Sequence, residues 1–425
     1  MKKLLAIFLA LATVLTLTAC GNRGNDPNKG EVKGSVYYLN FKPEFDQTIQ
    51  KLAKDYTAAT GVEVKVVTAA AGTYNDTLTA EMGKENPPTI FNIGNLAALA
   101  DWDEYAIDLK DSPLAKELIN DDFNIYNDKG ELKAIGNCYE SFGLIVNTKL
   151  LQDAGYTLSQ IQDFASLKAA AEDIHARAET LGFDAFTSSG LADSSSWRFS
   201  GHLANLPLYY EGVKSNVATI AGSHLDLYKN VWDLYIQNSA TKPSDLTAEH
   251  DAAAEFKAGK AVFYQNGTWE YQGLIDAGMT NDQLAMIPIY CGAEGEQNAG
   301  LSSGTENCWA INAKVSEADQ KASMDFLMWL VTDEKAVAAY VESLGGVPFK
   351  KAPAPANKLL QDGIQLRDQG KYTLSWAFNF TPNVNAWRKT VVTALVGYSA
   401  GTSDWNQVVK AFVDGWAYEY NVVNG

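Results

Sequence analysis

The sequence is poor in the residues that most often perform catalysis or bind transition metals. Its 425 residues include four histidines and four cysteines, and no CxxC pair or Cys/His cluster has the spacing of a zinc site. The signatures G-x-G-x-x-G, G-x-x-x-x-G-K-[ST] and H-E-x-x-H are all absent. These absences argue against a dinucleotide, P-loop or zinc-protease site. We therefore expect no metal, no cofactor and no catalytic residue.

One catalytic signature is matched formally, by the G-x-S-x-G sequence of residues 300–304. In a hydrolase this motif lies between a strand and a helix, and the catalytic histidine follows it in the chain. Here a polar loop is predicted before the motif and a strand after it, and all four histidines lie upstream. We interpret the match as chance. Two acidic side chains that meet in space would leave no sequence signature, so a glycosidase-type carboxylate pair stays open.

Positive charge is also scarce. Lys and Arg number 34 against 51 Asp and Glu, which gives a formal net charge of −17. Without the two N-terminal lysines, which lie in a segment that we expect to be removed, 32 basic side chains oppose 51 acidic ones, or −19. Such a chain gains nothing from the release of phosphate counterions, so we expect no nucleic-acid partner. With 46% hydrophobic and 20% charged residues the composition is globular, and the length allows two or three domains.

The first 20 residues predict export. Two lysines precede an apolar run over residues 4–19, which is shorter than the ~20 residues that a membrane-spanning helix needs. A basic start, an apolar stretch and small residues before a cleavage point are typical of a secretory signal over residues 1–19. The sequence LTAC at residues 17–20 resembles a bacterial lipobox. That resemblance implies cleavage before Cys20 and attachment of lipid to its sulfur; the alternative is ordinary cleavage nearby, which leaves Cys20 free.

The residues after Cys20 predict a tether rather than a domain. Residues 21–31 (GNRGNDPNKGE) contain no large apolar side chain and are rich in Gly, Asn, Asp and Pro. No later segment is long and apolar enough to be a membrane helix. We therefore expect a lipid-anchored tether over residues 20–31, with the protein at the cell surface on the outer face of the cytoplasmic membrane.

The hydrophobic spacing then alternates between strand and helix patterns. A β-rich run at 34–41 precedes apolar residues at helical spacing from Phe45 to Tyr56, which Gly61 ends as a C-cap glycine would. Val62, Val64 and Val66 alternate as in a strand. A strand–helix–strand unit favours a parallel sheet, so the predicted fold class is α/β. Further helices are predicted at 76–84, 166–181, 224–238, 251–258, 316–331 and over most of 384–421; further strands at 89–94, 261–265 and 308–312; a hairpin-like turn at 127–130; and polar loops at 192–201 and 291–307.

Aromatic and polar side chains follow several of these strands, at the edge where open α/β sheets bind ligands. Amides, carboxylates and guanidinium groups can form paired hydrogen bonds with vicinal hydroxyls, and flat rings can cover the C–H face of a sugar. Such residues suit a neutral, polyhydroxylated ligand. Trp197 and Arg198 lie in a Ser-rich segment without core periodicity and are candidates on this chemistry alone, whereas Trp329, Trp405 and Trp416 are expected in the core.

Several stretches along the chain resemble one known family when they are taken in order. Besides LTAC, they are residues 37–67 (strand, helix ending in Thr-Gly, Val-rich strand), 127–151 (turn, crossing strand, Asn after an apolar run), 255–271 (helix, Gly-Lys-Ala, strand, Gly-x-Trp) and 344–351 (LGGVPFKK). No single stretch is very specific, but their order over 34–425 is. The chain resembles the extracellular solute-binding proteins of bacterial ABC importers, most of all the carbohydrate-binding family that includes maltose-binding protein.

The resemblance implies a two-lobed periplasmic-binding-protein-like fold with crossing hinge strands and a ligand cleft between the lobes. Hinge closure around the ligand is the switch that such proteins use. The family layout implies lobe one at 32–140 and 307–345, and lobe two at 141–306 and 346–425. Carried over by position, the resemblance implies ligand contacts at Asn40, Glu44, Tyr74, Asn95, Glu140, Trp269 and Trp376. Cys138 and Cys308 both fall on the presumed crossing strands, where a disulfide would restrict the hinge; Cys291 is the third remaining cysteine.

The sequence therefore predicts a monomeric binding protein that is not an enzyme. We expect it to capture a carbohydrate, an oligosaccharide by preference, and to pass it to ABC permease subunits in the membrane. The alternatives are an extracellular carbohydrate-active hydrolase, with two carboxyl groups facing one site, and a binder of a non-sugar solute. A charged solute would need an ionic partner, and Arg198 is the only basic residue that the sequence places near the cleft.

Overall fold

The chain folds around two β-sheets that are covered by helices. The computed structural model describes residues 33–70 and 73–425, so the predicted signal sequence, Cys20 and the predicted tether lie outside the described residues. The strands are β1 (Val36–Asn40), β2 (Val64–Thr68), β3 (Ile90–Ile93), β4 (Ile125–Tyr126), β5 (Leu132–Gly136), β6 (Glu140–Asn147), β7 (Asp184–Phe186), β8 (Ala261–Gly267), β9 (Leu284–Ile287), β10 (Ala299–Gly304), β11 (Cys308–Ile311) and β12 (Tyr372–Ser375).

Helices connect these strands and cover both sheets. The α-helices are α1 (Asp46–Thr60), α2 (Tyr74–Met82), α3 (Leu96–Trp102), α4 (Pro113–Lys116), α5 (Thr148–Asp153), α6 (Phe164–Ala176), α7 (Ala178–Leu181), α8 (Asn205–Glu211), α9 (Leu225–Gln237), α10 (Ala252–Lys257), α11 (Tyr271–Asp276), α12 (Glu317–Thr332), α13 (Glu334–Leu344), α14 (Lys358–Asp368), α15 (Val384–Ser399) and α16 (Trp405–Asn424). Among the described helices, none combines the length and the hydrophobicity that crossing a membrane requires.

The first sheet has the strand order β2-β1-β3-β11-β5-β4. The pairs β1–β2 and β1–β3 are parallel, as the strand–helix–strand pattern predicts, whereas β11 runs antiparallel to both β3 and β5. Helix α1 buries Ile49, Leu52 and Tyr56 on one face. It ends at Gly61, whose φ of 71° is the left-handed conformation that the predicted glycine cap requires.

The second sheet has the order β12-β10-β6-β8-β7, and β9 also pairs with β6. All eight residues of β6 are buried because three strands pair with it antiparallel. The largest core cluster lies in this half of the molecule and includes Trp232, Trp387 and Trp416. Two smaller clusters cover the first sheet, and Trp309 lies in one of them with its indole N–H donating to the Tyr38 hydroxyl at 3.0 Å. The two sheets with their helices confirm the α/β, two-lobed fold.

The chain passes between the two sheets three times. Residues 137–139 join β5 to β6, residues 305–307 join β10 to β11, and residues 345–357 join α13 to α14. The first two crossings lie side by side, since the Asn137 N–H donates to the Asn307 carbonyl at 3.0 Å. The third joins them where the Tyr139 N–H donates to the Gly346 carbonyl at 2.8 Å. The exact lobe limits, 32–140 with 307–345 and 141–306 with 346–425, stay a prediction.

Two segments that were predicted as loops are ordered in the structure. The segment 291–307 contains β10, whose small residues Ala299–Gly304 carry no clear strand signal but pair with β6 and β12. The Ser-rich segment contains a π-helix over Arg198–Leu203 that is buried at every position. In both places tertiary pairing or packing outweighs weak local propensity.

The three cysteines in the described part of the chain are all buried free thiols. The Cys138 sulfur accepts from the Asn307 side-chain amide at 3.4 Å, and the Cys308 thiol donates to the Phe123 carbonyl at 3.5 Å. Burial raises the pKa of Cys138 to about 12, so its thiol stays protonated at neutral pH. The hypothetical Cys138–Cys308 disulfide is therefore absent from this structure, and these side chains pack as small hydrophobic groups.

Candidate functional site

A cavity of about 560 Å³ lies between the two lobes, beside the crossing segments. One wall comes from the first lobe, where the chain leaves β3 at Gly94 and Asn95 and where the loop into β4 passes. The other wall comes from the second lobe and includes Ser303, Gly304 and Trp376. A volume of this size is within the range of small-molecule binding pockets.

Aromatic rings form much of the cavity wall. Phe123 and Tyr139 stack at 5.2 Å between ring centroids with an interplanar angle of 11°, and Trp376 and Phe380 line the same space from the second lobe. Asn95 lies at the N-terminus of α3, where its side-chain oxygen accepts from the Ala98 N–H at 2.8 Å. Its amide NH₂ group is left for another partner, because the cap uses only the oxygen.

Trp376 also belongs to an aromatic cluster that continues from the cavity into the second lobe. At its centre is the buried ring of His202, which stacks on Phe142 at 4.5 Å between centroids. The other rings around His202 are Trp376 at 4.8 Å, Phe378 at 5.0 Å, Trp197 at 5.5 Å and Trp269 at 5.5 Å. The His202 Nδ1 and the Trp376 Nε1 are both buried and have no hydrogen-bond partner among the described residues. Both atoms are inaccessible to solvent in this arrangement, so each is a buried polar atom left unsatisfied.

Burial keeps the His202 ring neutral. It lowers the pKa of His202 to about 3, and the positive charges of Arg388 and Lys42 act in the same direction. A neutral imidazole carries one N–H donor and one acceptor nitrogen, so it can serve a hydroxyl group in either direction. The cluster therefore presents apolar ring area together with neutral hydrogen-bonding atoms.

Two glycines let the tryptophans pack this closely. A Cβ on Gly304 would lie 2.6 Å from the Trp376 Cγ, and a Cβ on Gly267 would lie 2.2 Å from the Trp269 Cζ3. Both glycines are at strand ends, Gly304 in β10 and Gly267 in β8. Each indole ring therefore covers the backbone of a strand and is held in place by it.

Charged groups meet where the lobes join. The Lys42 ammonium donates to both Glu140 oxygens, at 2.8 and 2.9 Å, and lies 3.4 Å from the half-exposed Glu44. Burial opposes the charge on Lys42, but the charges of Glu140 and Glu44 outweigh that effect and raise its pKa. Lys42 and Glu140 therefore form a buried ion pair beside the first crossing segment.

Two further charged groups that influence each other are Glu306 in the 305–307 crossing and Arg388 on α15. Both side chains are half-buried, and the Arg388 Nε donates to the Ser200 hydroxyl at 3.1 Å. Burial raises the pKa of Glu306, and the positive charges of Arg388 and Lys42 oppose that rise. Burial likewise lowers the pKa of Arg388, and the charge of Glu306 opposes it. Each group thus acts electrostatically on the other, but no ion pair joins them in the described part of the chain.

The nine residues predicted as ligand contacts fall into four sets. Asn95 and Trp376 line the cavity. Glu44 and Glu140 lie around Lys42, and Trp197 and Trp269 lie on the aromatic cluster. The remaining three have their polar groups engaged within the protein, and they are Asn40, Tyr74 and Arg198. A binding role for each of the nine stays a prediction.

The three engaged residues hold the site's backbone together. The Asn40 side chain bonds the Lys42 backbone N–H and carbonyl, and the Tyr74 hydroxyl accepts from the Asn92 N–H at 2.6 Å. Arg198 is buried and donates to the carbonyls of Ser188 and Gln265 at 3.1 and 3.4 Å. Because Arg198 bonds the end of β8, it positions the backbone that carries Trp269.

Sequence reasoning missed three side chains of this region, Phe123, Glu306 and Arg388. Phe123 precedes the short strand β4, and Arg388 lies on a helix at no position that periodicity marks as special. Glu306 was assigned to a polar loop, because the small residues of β10 before it give no clear strand signal. As for metals, no three His, Cys, Asp or Glu side chains of the described chain are grouped to hold an ion.

The low pKa of His202 predicts a pH dependence of stability. In the unfolded chain its pKa is near 6.5, so below that pH the unfolded state binds more protons than the folded state. The stability of the second lobe should therefore fall as the pH decreases from 6.5 toward 3. We expect this histidine to account for roughly 2 kcal/mol between pH 7 and 4.5, measured by urea denaturation with tryptophan fluorescence.

His202→Phe should reduce the loss of unfolding free energy between pH 7 and 4.5 by that amount. Phe142→Leu is the control, since it disturbs the same packing without removing the titrating group; it should lower the stability at every pH and keep the slope. Equal slopes for wild type and His202→Phe would refute the assignment.

Comparison of the sequence with models of protein families gives one family whose model matches most of the chain. The model of the bacterial extracellular solute-binding proteins matches residues 51–368. Comparison with the curated proteins gives no match.

Solved structures of solute-binding proteins have a similar fold. RafE of Streptococcus pneumoniae, in complex with raffinose, superposes with a TM-score of 0.69 at 15% identity, covering 92% of this chain and 100% of that one. The GacH receptor of Streptomyces glaucescens, solved unliganded and with acarbose, gives 0.68 at 19% identity, with 92% and 99% covered. A Streptococcus pneumoniae solute-binding protein in complex with the blood group A-trisaccharide gives 0.64 at 18% identity, with 90% and 99% covered. The family match and this shared fold lead to one conclusion: the chain belongs to the bacterial extracellular solute-binding protein family.

Proposed function

We propose that this protein captures an oligosaccharide in the cleft between its lobes and delivers it to the permease subunits of an ABC importer. The observation that carries the proposal is the interlobe cavity, with stacked and clustered rings on its walls and unpartnered polar groups beside them. Flat rings match the C–H faces of sugar rings, and the amide, imidazole, carboxylate and guanidinium groups match their hydroxyls. The three solved relatives named above were crystallised with raffinose, acarbose and a trisaccharide, which supports the same ligand class.

Hinge closure is the switch that we assign to the protein. The cavity takes its walls from both lobes, so a ligand that contacts both walls binds the closed arrangement more tightly than an open one. The crossing segments 137–139 and 305–307 are short, and the third bonds to the first through Tyr139 and Gly346, which suits all three to act as the hinge. The free energy that drives closure comes from ligand binding alone, and the protein performs no chemical step. It acts as a monomer.

The contacts that we propose are those of the cavity and its surroundings. Asn95 and Trp376 line the cavity directly, and Trp197 and Trp269 extend the aromatic surface. Glu44 and Glu140 bring carboxylates to the same region. Asn40, Tyr74 and Arg198 would act by positioning their neighbours.

Membrane attachment through Cys20 completes the proposal. A chain that is acidic and tethered by a short polar segment would stay soluble yet remain near the permease. A hydrolase is the second candidate, because three carboxylates (Glu44, Glu140 and Glu306) lie around the lobe junction. A binder of a non-sugar solute is the third.

Calorimetric titration with neutral di-, tri- and tetrasaccharides tests the central proposal. We expect the mature protein, purified in a detergent without a sugar headgroup, to show saturable heat with at least one of them, and chromatography to recover that sugar intact. Cleaved sugar would favour the hydrolase. The absence of heat with every sugar would refute the carbohydrate assignment and leave the non-sugar binder.

Crowding of the tryptophans gives a sharper test of the site. Gly304→Ala should push Trp376 out of the cavity wall because the new Cβ overlaps its ring, and the affinity for the bound sugar should fall by about ten-fold or more. Gly83→Ala is the control, since the nearest atom to its Cβ would be 3.7 Å away. Affinity unchanged in Gly304→Ala by titration would show that Trp376 is not a contact.

Lipid attachment predicts a change of location. Cys20→Ser removes the only sulfur in the segment that could carry the lipid. We expect metabolic labelling with a radioactive fatty acid to mark the wild type and not the variant, and fractionation to move the variant off the membrane. Labelling of Cys20→Ser, or a wild type without label, would contradict the anchor.

A further inference from the structure

We infer that the ligand carries an N-acetyl group, and that an apolar corner of the interlobe cavity binds its methyl group. This inference rests on the proposed function and narrows its ligand class to sugars with an acetamido substituent. The apolar corner is formed by five side chains that line the cavity, and they are Ile119, Phe123, Tyr139, Leu360 and Ile364. Aromatic rings suit the C–H faces of sugars in general, whereas aliphatic side chains suit a methyl group.

The aliphatic part of the corner is assembled beside the third crossing. The Ile119 N–H donates to the Pro348 carbonyl at 3.0 Å, which holds a first-lobe loop against this crossing. Leu360, at the start of α14, is buried against the same segment, since a Cβ on Gly345 would lie 2.2 Å from its Cδ1. Ile364 is half-buried one helical turn further along α14. One short stretch of chain therefore brings aliphatic side chains of both lobes to the same corner.

Two stacked rings complete the corner. Tyr139 packs on the third crossing as well, because a Cβ on Gly346 would lie 2.7 Å from the Tyr139 Cε2. Phe123 stacks on Tyr139, and its carbonyl accepts from the Cys308 thiol at 3.5 Å, which ties its loop to β11. The ring pair and the aliphatic side chains are thus held by the same part of the hinge.

Ile119 is the clearest indication that the corner receives a ligand. Four large apolar side chains of the described chain are exposed, and Ile119, at 59%, is the one of these four that lines the cavity. Such a surface gives favourable binding free energy when another apolar group covers it and displaces water. A sugar hydroxyl in the same position would lose its hydrogen bonds to water instead.

The polar side chains of the same loop are bonded within the protein. The Asn120 side-chain oxygen accepts from the Asp122 N–H at 3.4 Å. The Asn124 side-chain oxygen accepts from the Gly136 N–H at 3.2 Å, and its amide NH₂ group donates to the Asp121 carboxylate. A hydroxyl that entered the corner would therefore compete with existing hydrogen bonds, whereas a methyl group would leave them intact.

An acetamido group also needs a partner for its amide, and the Tyr139 hydroxyl supplies one. Burial raises the pKa of Tyr139, and the positive charge of Arg367 opposes that rise, so the hydroxyl stays protonated at neutral pH. A protonated hydroxyl can donate to the amide carbonyl while the methyl group covers the aliphatic side chains. A free hydroxyl or amine in place of the acetamido group would use the polar partner and leave the apolar surface uncovered.

The rest of the cavity wall suits the sugar ring itself. Trp376 offers a ring face, and Asn95, Thr373 and Ser375 offer amide and hydroxyl groups. A sugar without methyl groups matches this part of the wall but leaves the apolar corner in contact with water. An acetamido sugar matches both parts.

Matched pairs of sugars test the inference. Cellotriose and tri-N-acetylchitotriose have the same linkage and differ only in the hydroxyl or acetamido group on the second carbon of each ring; lactose and N-acetyllactosamine differ in the same way at one ring. The mature protein, in a detergent without a sugar headgroup, is titrated calorimetrically with both pairs and with maltotriose. We expect the acetylated member of at least one pair to bind about ten-fold or more tightly than its partner and than maltotriose.

The other outcomes separate the inference from the proposed function. A sugar without acetamido groups that binds as tightly as the best acetylated one overturns the inference and leaves the proposed function standing. The same holds if none of the five sugars binds but another neutral oligosaccharide, such as raffinose, does. No binding by any sugar overturns both.

Ile119→Thr assigns the preference to the apolar corner. Threonine keeps the branch at Cβ but replaces hydrocarbon with a hydroxyl, so the preference for the acetylated member of a pair should shrink by about five-fold. Ile119→Leu keeps the hydrocarbon and should retain the preference. Val423→Thr is the control, since it makes the same kind of exchange at an exposed position of α16 outside the cavity, and it should change neither affinity.

The ratio of affinities within a pair distinguishes methyl recognition from a general disturbance of the cleft. A disturbance would weaken both members alike, and an unchanged ratio in Ile119→Thr would overturn the assignment to this corner. Because Ile119 is exposed, thermal denaturation should show the variant to be as stable as the wild type. Tyr139→Phe gives a second test, since it keeps the ring and removes the hydroxyl; the affinity for the acetylated sugar should fall by about five-fold.

Discussion

The hydrogen bonds among the three crossing segments are the constraint on which the rest of the structure depends. The bonds Asn137–Asn307 and Tyr139–Gly346 hold the crossings together, and the Tyr340 hydroxyl donates to the Asn137 side chain at 2.7 Å. Two of the crossings connect strands of the two sheets directly and the third connects helices α13 and α14, so these few bonds fix where the two lobes can meet. The cleft begins at the same place, because Glu140, Gly304 and Glu306 lie on or next to the crossings. The hinge and the binding surface thus share the same crossing segments. A conformational change in one therefore alters the other.

The second lobe supplies most of the aromatic surface, and it does so by packing rings on strand ends. Trp376 covers Gly304 and Trp269 covers Gly267, while His202 fills the space between them. A buried histidine with an unpartnered nitrogen costs stability, and its lowered pKa adds a further cost wherever the ring must be protonated. The first lobe contributes mainly polar groups, such as Asn95, and the Phe123–Tyr139 stack. A ligand between two such different walls has its most favourable binding free energy when it contacts both of them. This is the physical basis of closure.

Much of the fold could be predicted from the sequence because its strongest patterns are local. The spacing along α1, its glycine cap, the turn before β5 and the strands β8 and β11 all appear where periodicity predicts them. Strands β10 and β12 and the π-helix were missed because small or polar residues form them only through tertiary pairing. The site was predicted less completely. Residue type after a strand indicated Asn95 and Trp376, but it could not show that Asn40, Tyr74 and Arg198 satisfy the protein's own backbone. Nor could it show that Arg388 influences the pKa of Glu306, since 82 residues separate them in the chain.

The charge of the whole chain and the charge of its cleft act over different distances. At physiological ionic strength exposed charges are screened beyond ~8 Å, so the net charge of −17 governs solubility and gives little guidance about the ligand. Half-buried groups such as Glu306 and Arg388 are screened far less, so each acts on the pKa of the other. Closing the cleft removes water and strengthens these local effects further. Ligand choice should therefore depend on the side chains that line the cavity, while the acidic surface governs how the protein behaves in solution.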